Sequence, residues 1–91
     1  MSVSIKQLKA FVAVVEEKSF SLAAERLNAT QSGMSMLVQN LEISIGKQLI
    51  NRIPGKMVLT DSGISFYNYS FMNLENLDWI KNAISLNLPQ N

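Results

Sequence analysis

Apolar residues in the first half of the chain recur at helical spacing, and three helices account for them. Between Ser4 and Glu17, Ile5, Leu8, Phe11, Val12 and Val15 fall on one stripe, and Ser4 followed by Gln7 has the spacing of a capping box. Lys18-Ser19-Phe20-Ser21 interrupts that stripe. Ser21 can then cap a second helix of about two turns through Leu22, Ala23, Ala24 and Leu27, whose alanines let another helix approach closely. After the short connector Asn28-Ala29, Thr30 is placed to cap a third helix from Gln31 to Ile45, with Gly46 where helices often stop.

The pattern changes beyond Gly46. Leu49 to Ile53 and Met57 to Thr60 are short apolar-rich runs separated by Pro54-Gly55-Lys56, which predicts a two-stranded hairpin. Thr60 can cap a last helix to about Leu88, closed by Pro89, in which Leu74, Leu77, Ile84 and Leu88 form a stripe. Asn73, Asn76 and Asn82 lower its intrinsic helicity, so it is expected to draw stability from a partner. The resulting fold class is mainly α: a winged helix-turn-helix of three helices and a two-stranded wing over residues 1–60, then a long dimerisation helix over 61–91.

Composition narrows the function. The 91 residues contain neither cysteine nor histidine, which excludes disulfides, thiolate or imidazole metal sites, and every catalytic triad built on those side chains. No apolar run approaches the ~20 residues of a membrane span, so no membrane partner and a cytoplasmic location are expected. The net charge is +1, but residues 1–60 carry seven Lys/Arg against four Glu, whereas 61–91 carry one Lys against three acids. This mild asymmetry permits a polyanionic partner without requiring one.

The third helix is the informative element. At about 100° per residue, Met34, Leu37, Val38, Leu41 and Ile45 project to an inner arc, and Ser32, Ser35, Met36, Gln39 and Asn40 to an outer one. No cation occurs from Leu27 to Gly46. Such a face is either an ordinary solvated surface or a reader of the major groove, where Gln and Asn pair with adenine edges and Ser reaches bases or phosphates. A short helix and a tight turn directly before it favour the second reading.

Residues 5–66 resemble the N-terminal domain of the LysR-type transcriptional regulators. The stretches that carry the resemblance are IKQLKAFVAVVEEKSFSLAAERLNATQSGMSMLVQNLE, IGKQLINR and VLTDSG. The resemblance implies double-stranded DNA as partner, a third helix in the major groove, a wing at the minor groove and a helix that pairs two copies. It makes Gln31, Ser32 and Ser35 the leading base or phosphate contacts, with Gln39 one turn on and Met36 and Asn40 on the same face. Ser19 and Ser21 match the junction where a hydroxyl and a helix N-terminus meet a phosphate, although Ser21 serves equally as a plain cap. Arg52 and Lys56 suit phosphate or minor-groove contact from the wing.

For dimerisation, Phe71, Leu74, Leu77, Trp79, Ile80, Ile84 and Leu88 are the candidates, whereas Phe66 and Tyr67 are expected to pack on the chain's own core. The resemblance implies a homodimer, or a tetramer in a longer chain. No cofactor is expected, and a small-molecule effector belongs to the larger C-terminal domain that such regulators usually add; a fragment is the simplest account of a chain of this length, with a naturally short protein as the alternative.

Four positions depart from the resembled pattern: Met36 stands where Arg, Lys or another polar residue is frequent, Gly33 replaces Ala or Ser, Ile43 an acid and Ile50 a Phe. Met36 excludes a bidentate guanine contact at its position and either touches a thymine methyl or is simply surface apolar. An alternative function is a dimerisation or interaction module with weak or no specific DNA binding. An enzyme is disfavoured, because Asp61, Glu75 and Asp78 are scattered and the four glycines form no phosphate-binding loop.

Overall fold

A computed structural model describes residues 3–54, 56–72 and 74. The order is α1 (Ile5–Glu17), α2 (Phe20–Arg26), α3 (Gln31–Ile45), β1 (Ile50–Ile53) and β2 (Lys56–Leu59). Residues 61–72 and 74 are helical and are called α4. This is the expected winged helix-turn-helix followed by the start of a further helix.

Local capping explains where the helices begin. Both arms of the α1 capping box form, with the Gln7 backbone N–H donating to Ser4 Oγ and the Ser4 N–H to Gln7 Oε1, each at 3.1 Å. Lys18 then turns left-handed at φ 56, which leaves Ser19 extended, as an N-cap requires. Ser19, and not Ser21, therefore caps α2: its Oγ accepts from the Leu22 N–H at 3.1 Å. Ser21 is already helical and exposed in the first turn. Asn28 at φ 56, a conformation Asn tolerates better than most residues, reverses the chain into α3. Thr30 caps α3 as expected, its Oγ1 accepting from the Gly33 N–H at 3.0 Å, and Gly46 at φ 76 closes it.

The core joins Ala10, Phe11, Ala13 and Val14 of α1 to Ala23 and Ala24 of α2, Met34, Val38 and Leu41 of α3, and Leu49 and Ile50. Because α1 packs against both α2 and α3, its buried arc is broader than one stripe and shifted onto Ala10, Ala13 and Val14. Ile5, expected on the inner stripe, stays exposed in the first turn, as do Leu22 and Leu27 on the outer side of α2. Val15, Leu37 and Ile45 are half-buried.

The hairpin is antiparallel with Ile50 opposite Leu59, Arg52 opposite Met57, and Ile53 opposite Lys56. Lys56, expected in the turn, is thus a strand residue. The expected strand ends Leu49 and Thr60 lie just outside the hairpin, because both attach elsewhere. Leu49 is fully buried, and Thr60 caps α4: its Oγ1 accepts from the Gly63 N–H at 2.9 Å and donates to the Gln48 carbonyl at 2.6 Å.

Phe66 and Tyr67 seat α4 on the helical core. The Phe66 ring meets Phe11 edge-on at 5.8 Å, and the Tyr67 hydroxyl donates to Glu16 Oε2 at 2.8 Å. Glu16 also pairs with Arg26 at 2.8 Å, so one carboxylate ties α4 to both α1 and α2. Donation to that carboxylate raises the Tyr67 pKa, since the neutral hydroxyl keeps the bond, and the same carboxylate raises that of Arg26. Of the dimerisation candidates, Phe71 is exposed, with its ring 6.1 Å from Tyr67, and Leu74 is half-buried. Leu77, Trp79, Ile80, Ile84 and Leu88 lie outside the described residues.

Candidate nucleic-acid interface

Helix α3 presents its outer face as the periodicity predicts. Gln31, Ser32, Gln39 and Asn40 are exposed, Met36 is 62% exposed, and Met34, Val38 and Leu41 on the opposite arc are buried. Ser19 and Ser35 are half-buried, and the Ser19 hydroxyl already accepts the Leu22 N–H at the mouth of α2.

The wing delivers a cation to this face. Strand residues two apart share a side, so Arg52 follows buried Ile50 on the core-facing side of β1. From there its guanidinium lies 4.3 Å from the centre of the Phe20 ring and donates to Ser35 Oγ at 2.8 Å. Two residues singled out separately in the sequence are therefore one unit, with half-buried Phe20 at the start of α2 as its third wall. Lys56 lies opposite Ile53 on the other side of the hairpin, exposed to solvent. The two wing cations thus face different directions: Arg52 is held in place, and Lys56 projects from the far side.

A third element was not found from the sequence as a site residue. Glu42, on α3, accepts the backbone N–H groups of Leu49 at 2.8 Å and Ile50 at 3.1 Å through Oε2. These are the donors that begin the wing, so the carboxylate sets where the hairpin leaves α3. The available signal was an acid on a helix otherwise free of charge, four residues before the helix-stop glycine. Glu42→Ala is expected to cost about 2 kcal/mol, because it orphans two partly buried N–H groups that had charge-assisted bonds. Urea unfolding measures the loss, and a smaller change in Glu42→Gln would show how much of it is charge.

Among the described residues no three His, Cys, Asp or Glu side chains gather to hold a metal, and no helix is long and apolar enough to cross a membrane. Chemically the face offers amide and hydroxyl hydrogen bonding and the exposed apolar side chains of Met36 and Ile43, bordered by the Arg52 guanidinium.

Comparison with known proteins agrees with this geometry. Residues 5–64 match the pattern of the bacterial regulatory helix-turn-helix proteins of the lysR family. The transcriptional regulator YfeR of Shigella flexneri is 49% identical over 63 residues, 69% of this chain and 20% of its own length. BenM of Acinetobacter baylyi is 42% identical over 74 residues, 81% of this chain and 24% of that protein. The chain therefore spans a fifth to a quarter of the length of these curated relatives. The crystal structure of the BenM DNA-binding domain in complex with catB site 1 DNA superposes with a TM-score of 0.87 at 38% identity, covering 90% of this chain and 92% of that one. Full-length BenM superposes with a TM-score of 0.88 at 36% identity, covering 94% of this chain and 28% of that protein. With the match spanning α1 to the start of α4, the chain belongs to the lysR family of bacterial regulatory helix-turn-helix proteins.

Proposed function

We propose that this chain is the sequence-reading part of a cytoplasmic transcription regulator, binding duplex DNA as a dimer. The observation that carries the reading is the joining of an uncharged, exposed α3 face to the wing through the Arg52–Ser35 bond. That bond joins α3 and the hairpin into one continuous surface. The similarity to BenM, whose DNA-binding domain has been crystallised with DNA, supports it.

In this reading the N-terminal turns of α3 enter the major groove. Gln31, Ser32, Gln39 and Asn40 meet base edges or phosphates, and Ser35 does so with Arg52 beside it. Ser19 and Ser21 place the start of α2 near the backbone, while Lys56 follows the adjacent groove. With so few cations, each copy neutralises a small number of phosphates, on the order of three to five, so useful affinity requires two copies. Pairing of the two copies uses Phe71 and Leu74 of α4, together with Leu77, Trp79, Ile80, Ile84 and Leu88 further along the chain.

Selection from a pool of random duplexes tests the reading, and an enriched two-fold symmetric motif is the expected result. On that motif Arg52→Ala should weaken binding at least tenfold and lower the salt dependence by about one unit per copy. Arg52→Lys should restore the salt dependence but little of the affinity, since an ammonium cannot reproduce the planar stacking on Phe20. A second reading, a dimerisation module without specific DNA binding, is favoured by the absence of any cation on α3 itself. It predicts that nothing is enriched and that Arg52→Ala leaves activity unchanged.

A further inference from the structure

We infer that Met36 reads the C5 methyl group of a thymine, making an apolar contact at the centre of a recognition face whose flanks are polar. The inference rests on the DNA-binding reading above and names what its central residue recognises. Met36 is 62% exposed, and Ile43, about 20° from it in helical projection, is 72% exposed. Together they form an apolar ridge along the middle of the outer face, with Ser32 and Gln39 on one flank and Gly33 and Asn40 on the other. Side chains on a helix lean toward its N-terminus, so Met36 lies over the turn containing Ser32 and Gly33. In the DNA-binding reading, that end of α3 enters a groove first.

Charge stands at the edge of this face. Ser35, which holds Arg52, is about 100° around the helix from Met36, so the guanidinium borders the ridge and does not cover it. A rim cation beside an apolar centre separates two tasks: the rim suits phosphate, and the centre must be satisfied by a base edge. Base edges in the major groove are hydrogen-bonding groups, apart from the thymine methyl. Met36 against a polar edge would take that edge from water and return no hydrogen bond. Against a methyl it removes apolar surface from water on both sides, and its unbranched thioether adapts to the exact position of the group.

Deoxyuridine tests the inference, because it differs from thymidine only by that methyl. The 91-residue chain is first given random duplexes to define its preferred site, and each thymine of that site is then replaced in turn by deoxyuridine. At one position per half-site the replacement should weaken the unaltered chain about fourfold, the worth of one buried methyl. The same replacement should leave Met36→Ala unaffected and should weaken Met36→Leu much as it does the unaltered chain. Met36 is exposed, so all three proteins should melt alike. A specific site at which no deoxyuridine replacement separates Met36→Ala from the unaltered chain overturns the inference and leaves the DNA-binding reading standing. Failure to enrich any site overturns that reading, and the inference with it.

Discussion

Gly63→Ala should destabilise the fold by about 4 kcal/mol, through overpacking against backbone and the loss of hydrogen bonds anchored beside it. Gly63 is buried in the first turn of α4, where the helix crosses the chain entering the wing. A Cβ there would overlap the Leu49 carbonyl oxygen and lie 3.0 Å from its carbon. The obstacle is backbone, so no side chain can swing aside. That carbonyl also accepts the Thr60 N–H at 3.0 Å, and Thr60 caps α4, so lifting the helix disturbs the junction of wing and helix together. For a domain of this size the loss corresponds to a melting point lower by roughly 15–30 °C. Gly46→Ala is the control. Nothing lies within 4 Å of a Cβ at Gly46, and its φ of 76 is the sole obstacle, so about 1 kcal/mol should be lost. Equal melting points for the two variants would show that the crossing at Gly63 is looser than the structure has it.

Phe11→Ala is the second large effect, expected at about 3–5 kcal/mol, the usual range for emptying a core aromatic site. Phe11 is fully buried and lies in the same core cluster as Met34, Val38 and Leu41. Its ring also takes the edge-on contact with Phe66, which seats α4. A domain of about 90 residues has on the order of 5–14 kcal/mol to lose, so this variant should be largely unfolded at moderate urea concentrations. Ile5→Ala, on the same helix but at an exposed position, should stay within about 1 kcal/mol of the unaltered chain. Double replacement of Phe11 and Phe66 by leucine isolates the ring contact, with a coupling of about 0.5–1.5 kcal/mol expected. A coupling near zero would mean that the edge-on ring contact adds nothing to the seating of α4 beyond the apolar surface each ring buries.

Both sites bear on function because α4 is the element proposed to pair two copies, while α3 and the wing are proposed to meet DNA. Gly63 and Phe66 connect the two. Loosening either should weaken DNA binding by more than the loss of folded protein explains, since the two α3 helices of a dimer would no longer keep a set spacing.

Helices α1 and α3 were legible to within a residue, because capping and 3.6-residue periodicity depend on neighbours a turn apart. Ser4 with Gln7, and Thr30 with the Gly33 N–H, act over three residues and survive in any surroundings. The exposure of Ser32, Met36, Gln39 and Asn40 followed from the same periodicity. The start of α2 was misplaced by two residues, because it depends on the left-handed turn at Lys18, a residue with no strong preference for that conformation. The stripe on α1 was only half right. Periodicity finds the centre of a buried arc, but its width depends on how many neighbours pack against it.

Three features escaped because they join distant parts of the chain. Arg52 bonds Ser35 across 17 residues, and whether it faces α3 or solvent turns on the strand register, which a one-residue slip would reverse. Glu42 reaches the first N–H groups of the wing across seven and eight residues, and the sequence shows only an acid on a helix. Gly63 is required by a crossing of two backbones that neither segment announces alone. Local hydrogen bonding and the hydrophobic period are written into consecutive residues, and they were enough to establish the three helices, the hairpin, their order and most of the face α3 exposes. The union of α3 with the wing, the direction of each wing cation and the seating of α4 arise only when packing brings separated residues within a few ångströms, and those are decided by the folded structure.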